Sequence, residues 1–190
     1  MANTVPSTAS KLLTTILILL LGVAVIMATA WWKGPSSFVF AWCTHFMLMM
    51  MVTAVIQSLK PRLTSPYYQL KPFEQGGKIY KWFGVDAFRK LLVIVGWEKL
   101  IRASNPISKN TDRLRKLEYV TRQSELGHLV IFFSVLMMAI PITIMDGIKG
   151  AAALLILNII LHFYPVILQR YNRPKYQRLL AIAIKKESTL

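Results

Sequence analysis

Four ionisable side chains recur at helical spacing directly before an apolar stretch that begins at Leu129. They are Glu118, Arg122, Glu125 and His128. Spacings of four, seven and ten residues would place two carboxylates, a guanidinium and an imidazole on one face of a helix. Ionisable groups at the mouth of an apolar helix are costly unless they are paired or used, so this face is a candidate functional site. The alternative is an ordinary helix end in which Arg122 forms a salt bridge with a glutamate.

A second polar stripe is expected on the last apolar segment of the sequence. Asn158, His162 and Gln169 lie at i, i+4 and i+11 and share one side of an otherwise apolar helix. Such groups often only hold helices together, with about 0.6 kcal/mol per hydrogen bond. His45, in an earlier apolar segment, is expected to form a hydrogen bond to a neighbouring helix rather than to be catalytic.

The composition predicts an integral membrane protein. Of 190 residues, 55% are hydrophobic and the mean hydropathy is +0.48, which is too apolar for a soluble fold of this length. Four apolar segments approach the length of about 20 residues that a transmembrane helix needs. We predict an all-α integral membrane protein with about four transmembrane helices in a single membrane domain, residues 1–190. The predicted spans are residues 12–30, 38–56, 128–145 and 151–168.

The basic residues predict how these spans are oriented. Residues 57–127 hold fourteen Lys and Arg against six acidic residues, and the tail at 169–190 holds six against one. Because cytoplasmic loops carry an excess of Lys and Arg, the long loop and the tail are expected on the cytoplasmic side. The net charge of +15 then indicates contact with anionic lipid headgroups and phosphate-bearing substrates, and not with nucleic acid.

The first apolar segment has two interpretations. Lys11, the apolar run behind it and the small residues at 28–30 resemble a cleavable signal peptide. We predict that the segment is retained as a membrane anchor.

Cysteine and glycine usage predicts neither a metal site nor a bound cofactor. Cys43 is the only cysteine and lies inside an apolar segment, so it can form neither a disulfide framework nor a thiolate metal site. No zinc spacing and no phosphate-cradling glycine loop is visible.

The long amphipathic loop is expected to contain structure of its own. Residues 91–97 are uncharged and bounded by charged pairs. This segment is too short to span a membrane, so it indicates an interfacial or re-entrant helix. After a break at residues 108–111, Asp112 is the candidate N-cap of the helix that carries the acid–base face, the face defined by Glu118 to His128. Pro141 is expected to kink the third span.

The chain resembles a known family at three groups of residues. The pattern is Glu74-x-x-Gly77-x-x-Tyr80 with Gly84-Val85, then Thr121-Arg122-x-x-Glu125-x-x-His128, then Asn158, Tyr164-Pro165 and Gln169-Arg-Tyr-Asn-Arg-Pro174. It extends over roughly residues 70–180, and the final hexapeptide is its most specific part. These residues resemble the glycosyl-4,4'-diaponeurosporenoate acyltransferase family of small bacterial membrane proteins.

The resemblance implies transfer of a fatty acyl group to a hydroxyl of a lipid-linked sugar, such as a glycosylated carotenoid, in the bacterial inner membrane. The acyl donor, such as acyl-CoA, would be a co-substrate, and no other cofactor is implied. This chemistry needs a base, which we predict to be His128 because histidine titrates near neutral pH, with Glu125 orienting it. The residues predicted to bind substrate are Arg122, Glu118, Glu74, Tyr80, His162, Asn158, Gln169, Arg170, Asn172 and Arg173. Among these, the arginines suit the phosphates or the carbonyl of the donor.

Other interpretations stay open. One alternative is that Pro174 ends a helix whose arginines bind only lipid headgroups. Another is that the chain is a non-catalytic subunit, or a lipid- or carotenoid-binding partner of membrane proteins, with the methionine-rich residues 47–51 as the contact surface. A membrane methyltransferase is less favoured, because no cofactor-binding pattern is visible.

Overall fold

A computed structural model describes residues 7–97, 99 and 110–188 of the protein. The structure is 88% helix, and its described residues include no strand, so the predicted all-α class is confirmed. The helices are α1 (Thr8–Lys33), α2 (Phe38–Leu59), α3 (Val85–Ile94), α4 (Thr111–Asn158) and α5 (Tyr164–Glu187), with 3₁₀ segments at Pro66–Tyr68 and Pro72–Lys81 and a π-helical turn at Ile159–Phe163.

The described residues group into two compact units. Unit one comprises those within Met1–Arg62 and Gly127–Phe163, and unit two those within Leu63–Leu126 and Tyr164–Leu190. Helix α4 begins in unit two and continues into unit one. The single membrane domain expected from the sequence stays a prediction.

Serine caps begin the first two helices of unit one. The hydroxyls of Ser7 and Ser37 accept hydrogen bonds, at 3.2 and 3.1 Å, from backbone amides three residues further along the chain. Helix α1 packs against α2, and a Cβ atom placed on Gly22 would overlap the sulfur of Met51. Glycine therefore allows the close approach of these helices. Only 6% of the apolar stretch of α1 is buried, which leaves most of its surface for lipid.

The second half of α4 is a helical hairpin. Gly147 has a φ of +70° and a ψ of 177°, outside the helical region, so two helices meet there. The amide of Asn158 donates a hydrogen bond to the carbonyl of Phe132 at 3.1 Å, which shows that the two arms run antiparallel. The hydroxyl of Ser36 donates to the carboxylate of Asp146, so the α1–α2 connection contacts the hairpin turn.

The core of unit one lies between α2 and the two hairpin arms. Its buried residues are Phe40, Ala41, Ile131, Val135, Ala139, Ile142, Ala151, Leu154 and Leu157. Ala41 and Ala151 let helices approach, as small residues do in membrane bundles.

Unit two packs α3 and the irregular loop onto α5. Its buried apolar residues are Val85, Phe88, Leu168 and Tyr171. The rings of Phe88 and Tyr164 stack with their centroids 5.1 Å apart. This cluster holds α5 beside the loop that carries Glu74.

In the part of the chain that the structure describes, three helical stretches are long and apolar enough to cross a membrane, namely Thr8–Lys33, Phe38–Leu59 and Thr111–Glu187. The first two cover the predicted spans at residues 12–30 and 38–56. The third contains the segments predicted as spans three and four, together with the turn at Gly147. These stretches indicate a membrane protein.

Several local predictions need correction. Asn110, not Asp112, caps α4, since its side-chain oxygen accepts from the amides of residues 112 and 113 at 2.9 and 3.1 Å. Helix α5 continues through Pro174 to Glu187, so the alternative of a helix stop there is wrong. Pro141 keeps helical backbone angles, its predicted kink stays a prediction, and the departure from helical angles within α4 lies at Gly147.

The predicted interfacial helix is also displaced. Helix α3 covers Val85–Ile94, and a turn with Gly96 at a φ of +74° follows it. Its end is apolar and exposed at Ile94 and Val95, as an interfacial position would require. The predicted break at residues 108–111 lies largely outside the described residues.

Candidate functional site

An irregular segment of unit two places Glu74. In the middle of Pro72–Lys81, three successive residues have φ values between +48° and +91°, so the chain folds back on itself. At Gly77 a Cβ atom would lie 3.1 Å from the carbonyl oxygen of Tyr171 in α5. The loop therefore approaches α5 closely enough to bury Glu74 completely.

Glu74 accepts hydrogen bonds from three residues. Arg170 donates through Nε at 2.6 Å and Nη2 at 3.1 Å, the backbone amide of Lys71 donates at 2.5 Å, and the hydroxyl of Tyr80 also donates. Burial raises the pKa of the Glu74 carboxyl, but these hydrogen bonds outweigh burial and lower it. Burial and the hydrogen bond to Glu74 raise the pKa of Tyr80 to about 12. Glu74 is thus an anion, and Tyr80 is its neutral donor.

Arg170 connects Glu74 to a second buried carboxylate. Its Nη1 donates to Glu125 Oε1 at 2.8 Å, and the hydroxyl of Tyr67 donates to the same oxygen at 2.8 Å. The guanidinium also lies 5.1 Å from the centre of the Tyr67 ring. Burial, followed by the hydrogen bond to Glu125, raises the pKa of Tyr67.

Arg173 occupies the other oxygen of Glu125. Its Nη2 donates to Oε2, its Nε donates to Thr121 Oγ1 at 3.1 Å, and its Nη1 donates to the carbonyl of Tyr68 at 3.2 Å. The Arg173 side chain is fully buried, and so is that of Glu125. All three guanidinium nitrogens of Arg173 therefore already donate to protein groups.

These residues form a charge-balanced network, in which Glu74 and Glu125 face Arg170 and Arg173. Breaking a buried pair on one side is costly, typically by about 3–5 kcal/mol, because the remaining charge is left unpaired. Both guanidiniums donate to buried carboxylates in this structure, and their predicted role in binding substrate stays a prediction. Here the network joins the 63–81 loop to α4 and α5.

Glu118 and Arg122 form the pair that their helical spacing predicts. Arg122 Nη2 donates to Glu118 Oε1 at 2.6 Å, and its Nη1 donates to the carbonyl of Leu63 at 2.9 Å. Gln177 of α5 also donates to Glu118, at 3.2 Å. The pair lies at the edge of the network, and Arg122 is less buried than Arg170 or Arg173.

The remaining predicted binding residues of unit two take part in none of the hydrogen bonds described for the charge network. Gln169 donates to the hydroxyl of Ser124 at 3.2 Å. Asn172 is half-buried and takes part in none of the hydrogen bonds described above. Their predicted roles in binding substrate stay predictions.

Unit one brings together the three histidines of the sequence. His128 Nδ1 lies 3.1 Å from His162 Nδ1, and His162 Nε2 lies 2.9 Å from His45 Nδ1. His45 Nε2 in turn lies 3.0 Å from the carbonyl oxygen of Leu154. These three side chains form a histidine chain. His45 and His162 are fully buried, whereas His128 is half-buried and lies at one end of the histidine chain.

Two buried polar atoms belong to residues that are close to these histidines in the sequence. Among the described residues, Thr44 Oγ1 and Asn158 Oδ1 are buried without a hydrogen-bond partner. Thr44 precedes His45, and Asn158 lies one turn before His162.

The acid–base face predicted from Glu118 to His128 is thus divided. The partners of Glu125 are arginines and Tyr67 in unit two, and the partner of His128 is His162 in unit one. None of these hydrogen bonds joins Glu125 to His128. The catalytic roles of both residues stay predictions.

Sequence reasoning missed Tyr67 and predicted for His45 only a hydrogen bond to a neighbouring helix. Tyr67 follows a proline in an irregular stretch, where no periodicity marks its partner. The predicted hydrogen bond of His45 to a neighbouring helix is present. A signal for its further contact exists in the composition, since all three histidines fall in apolar segments or at their edge.

Long apolar helices together with buried ionisable groups are typical of polytopic membrane proteins. A family model described as glycosyl-4,4'-diaponeurosporenoate acyltransferase matches residues 64–182. The chain belongs to this family, and the predicted resemblance is confirmed. Comparison with curated proteins and with solved structures gives no match.

Proposed function

We propose that the protein is a membrane acyltransferase that moves a fatty acyl group onto a hydroxyl of a lipid-linked sugar, such as a glycosylated carotenoid. The observation that carries this proposal is the placement of His128. Its imidazole is half-buried and hydrogen-bonded to His162, and both residues lie within the region that matches an acyltransferase family. A positioned imidazole next to lipid is the base that acyl transfer to a hydroxyl needs.

In the proposed reaction, His128 accepts the proton of the acceptor hydroxyl while the hydroxyl oxygen attacks the carbonyl carbon of the acyl donor. The carbonyl electrons move to oxygen, and collapse of this oxyanion breaks the bond to the leaving group. The leaving group takes the proton from His128. With acyl-CoA as the donor, an ester forms and the free thiol of coenzyme A departs, so no further cofactor is required.

The proposal includes four membrane crossings, with the two hairpin arms of α4 as the third and the beginning of the fourth. The turn at Gly147 and the hydrogen bond from Ser36 to Asp146 support it, because they place the two short connections at one end of unit one. The basic loop and tail would then face the cytoplasm of a bacterial cell, where anionic lipid headgroups and the acyl donor are available.

The test is transfer of a labelled fatty acyl group to a glycosylated carotenoid by the full-length protein in lipid nanodiscs. His128→Ala should reduce turnover by about 10² to 10⁴, which is the usual contribution of a positioned base. Thermal unfolding of the variant should match that of the wild type, because a half-buried side chain is removed at the end of the histidine chain.

The matched control is Gln123→Ala, a half-buried polar residue of the same helix that forms none of the described side-chain hydrogen bonds. It should turn over normally. Normal turnover by His128→Ala would remove the catalytic assignment. Absence of transfer by the wild type, with donor and acceptor both bound, would favour the non-catalytic subunit.

A further inference from the structure

The three histidines of unit one form a continuous chain that ends on a backbone carbonyl. From the inside outward, the contacts join Leu154 O to His45 Nε2 at 3.0 Å, His45 Nδ1 to His162 Nε2 at 2.9 Å, and His162 Nδ1 to His128 Nδ1 at 3.1 Å. Each distance is that of a hydrogen bond between nitrogen and oxygen or between two nitrogens. Both nitrogens of the two inner rings are used.

The carbonyl of Leu154 fixes which nitrogen donates in each of the three contacts, because a carbonyl oxygen only accepts. His45 must therefore carry its proton on Nε2, which leaves Nδ1 as an acceptor. His162 then donates from Nε2 to His45 and has an acceptor at Nδ1. His128 donates from Nδ1, which leaves its Nε2 without a proton.

Neutral rings suit this arrangement. Among the described residues, the hydrogen bonds given above join the three rings to one another and to the carbonyl of Leu154, with no carboxylate among the partners. A buried positive charge without an anion is costly. Any other neutral set of tautomers would place two lone pairs or two hydrogens against each other along the chain.

We infer that His45 and His162 are positioning residues, which hold His128 in the tautomer with its proton on Nδ1 and a bare Nε2. This inference rests on the proposed function and explains how His128 is kept ready to take a proton at Nε2. The role expected of Glu125 is thereby supplied by two imidazoles. His162 lies in the π-helical turn Ile159–Phe163, and a single π turn inside a helix is frequent at functional sites.

The first test needs no variant, because the sequence contains three histidines. In the full-length protein labelled with ¹⁵N-histidine in nanodiscs, solid-state NMR should show two rings protonated only at Nε2 and one protonated only at Nδ1. Three rings with the Nε2 tautomer, or a doubly protonated ring at neutral pH, would overturn the inference. Because this spectrum does not depend on activity, it can fail while His128→Ala still supports the proposed function.

The second test separates positioning from packing. His45→Leu removes the acceptor for His162 and should lower kcat by roughly 10- to 100-fold with KM unchanged, short of the about 10⁴-fold loss that a wrong catalytic tautomer causes in a triad enzyme. His45→Asn keeps an acceptor near the position of Nδ1 and should restore most of kcat and the single Nδ1-protonated ring. Equal losses in the two variants, or no loss in His45→Leu, would contradict the inference. If His45→Leu does not fold, the wild-type spectrum still decides.

Discussion

Single side chains decide the charge balance inside unit two. Glu74 and Arg170 are both buried and bind each other through two hydrogen bonds. Asp86 and Arg89 on α3 form an exposed pair at 3.3 Å, with about half of each side chain accessible. Exposed pairs contribute at most about 1 kcal/mol, whereas a buried charge that loses its partner costs several times more.

Glu74→Gln should therefore destabilise the protein by about 3–5 kcal/mol at neutral pH, whereas the control Asp86→Asn should change stability by less than about 1 kcal/mol. The folded-state pKa of Glu74 is lowered from its ordinary value of 4.5. Its stabilising contribution is thus present above that value and is lost as the pH falls through the folded-state pKa. Unfolding measured from pH 7 downward should be less pH-dependent in Glu74→Gln than in the wild type. Parallel pH profiles would show that Glu74 is not the ionised partner of Arg170.

Helical spacing predicted the Glu118–Arg122 pair, which the structure contains, because both residues lie on one helix. It could not predict the partners of Glu125. Tyr67 and Arg170 are 58 and 45 residues away in the sequence, and only tertiary folding brings them together. The same limit applies to the histidine chain, whose members come from three separate helical segments. Sequence patterns thus pointed to many residues that take part in buried hydrogen bonds, but they could not identify the partners that lie far away in the sequence.

Among the elements of the fold, the segment Pro72–Lys81 makes the most specific demand on sequence. Gly76 and Gly77 both have positive φ, at +64° and +91°. A Cβ atom on Gly76 would meet nothing within 4 Å, whereas one on Gly77 would meet the backbone of Tyr171 at 3.1 Å. Alanine substitution at Gly76 therefore measures only the free-energy cost of a positive φ. Substitution at Gly77 adds the cost of a steric contact with α5.

Gly76→Ala should cost about 1–2 kcal/mol, the usual penalty for a left-handed alanine. Gly77→Ala should cost at least about 1 kcal/mol more, because the backbone of α5 has to move, and it should also lower acyl transfer by disturbing Glu74 and Arg170. Chemical unfolding of both variants in detergent measures the difference. Equal losses would mean that backbone conformation alone requires glycine at position 77.

Apolar segment length predicted α1 and α2 well, since both helices extend only a few residues beyond the predicted spans. The length of apolar segments could not predict the helical structure after residue 158. A π-helical turn has no periodic signature, and a proline usually argues for a helix end. Helix α5 continues through Pro174 because residues on both sides of it, Arg170 and Gln177, are held by hydrogen bonds to other segments of unit two.

For the whole molecule, the distribution of charge makes a prediction about the membrane. With Cys43 replaced by alanine, single cysteines at Lys78 and Arg178 should react with an impermeant reagent only from the cytoplasmic side, and a cysteine at Lys149 only from the other side. These positions are exposed in the structure. The physical reason is the concentration of basic residues in the long loop and the tail. Labelling of Lys78→Cys and Arg178→Cys from opposite sides would contradict four crossings.

The order of unit two along the chain has a consequence for biosynthesis. Its two carboxylates belong to residues 74 and 125, whereas the guanidiniums that neutralise them belong to residues 170 and 173, near the end of the chain. A ribosome therefore completes both acids, and the whole helical hairpin of unit one, before either arginine exists. During this interval Glu74 and Glu125 have to stay hydrated, because burying them without arginine would leave two uncompensated negative charges. The loop that carries Glu74 consequently reaches its final position only after the C-terminal helix has been made.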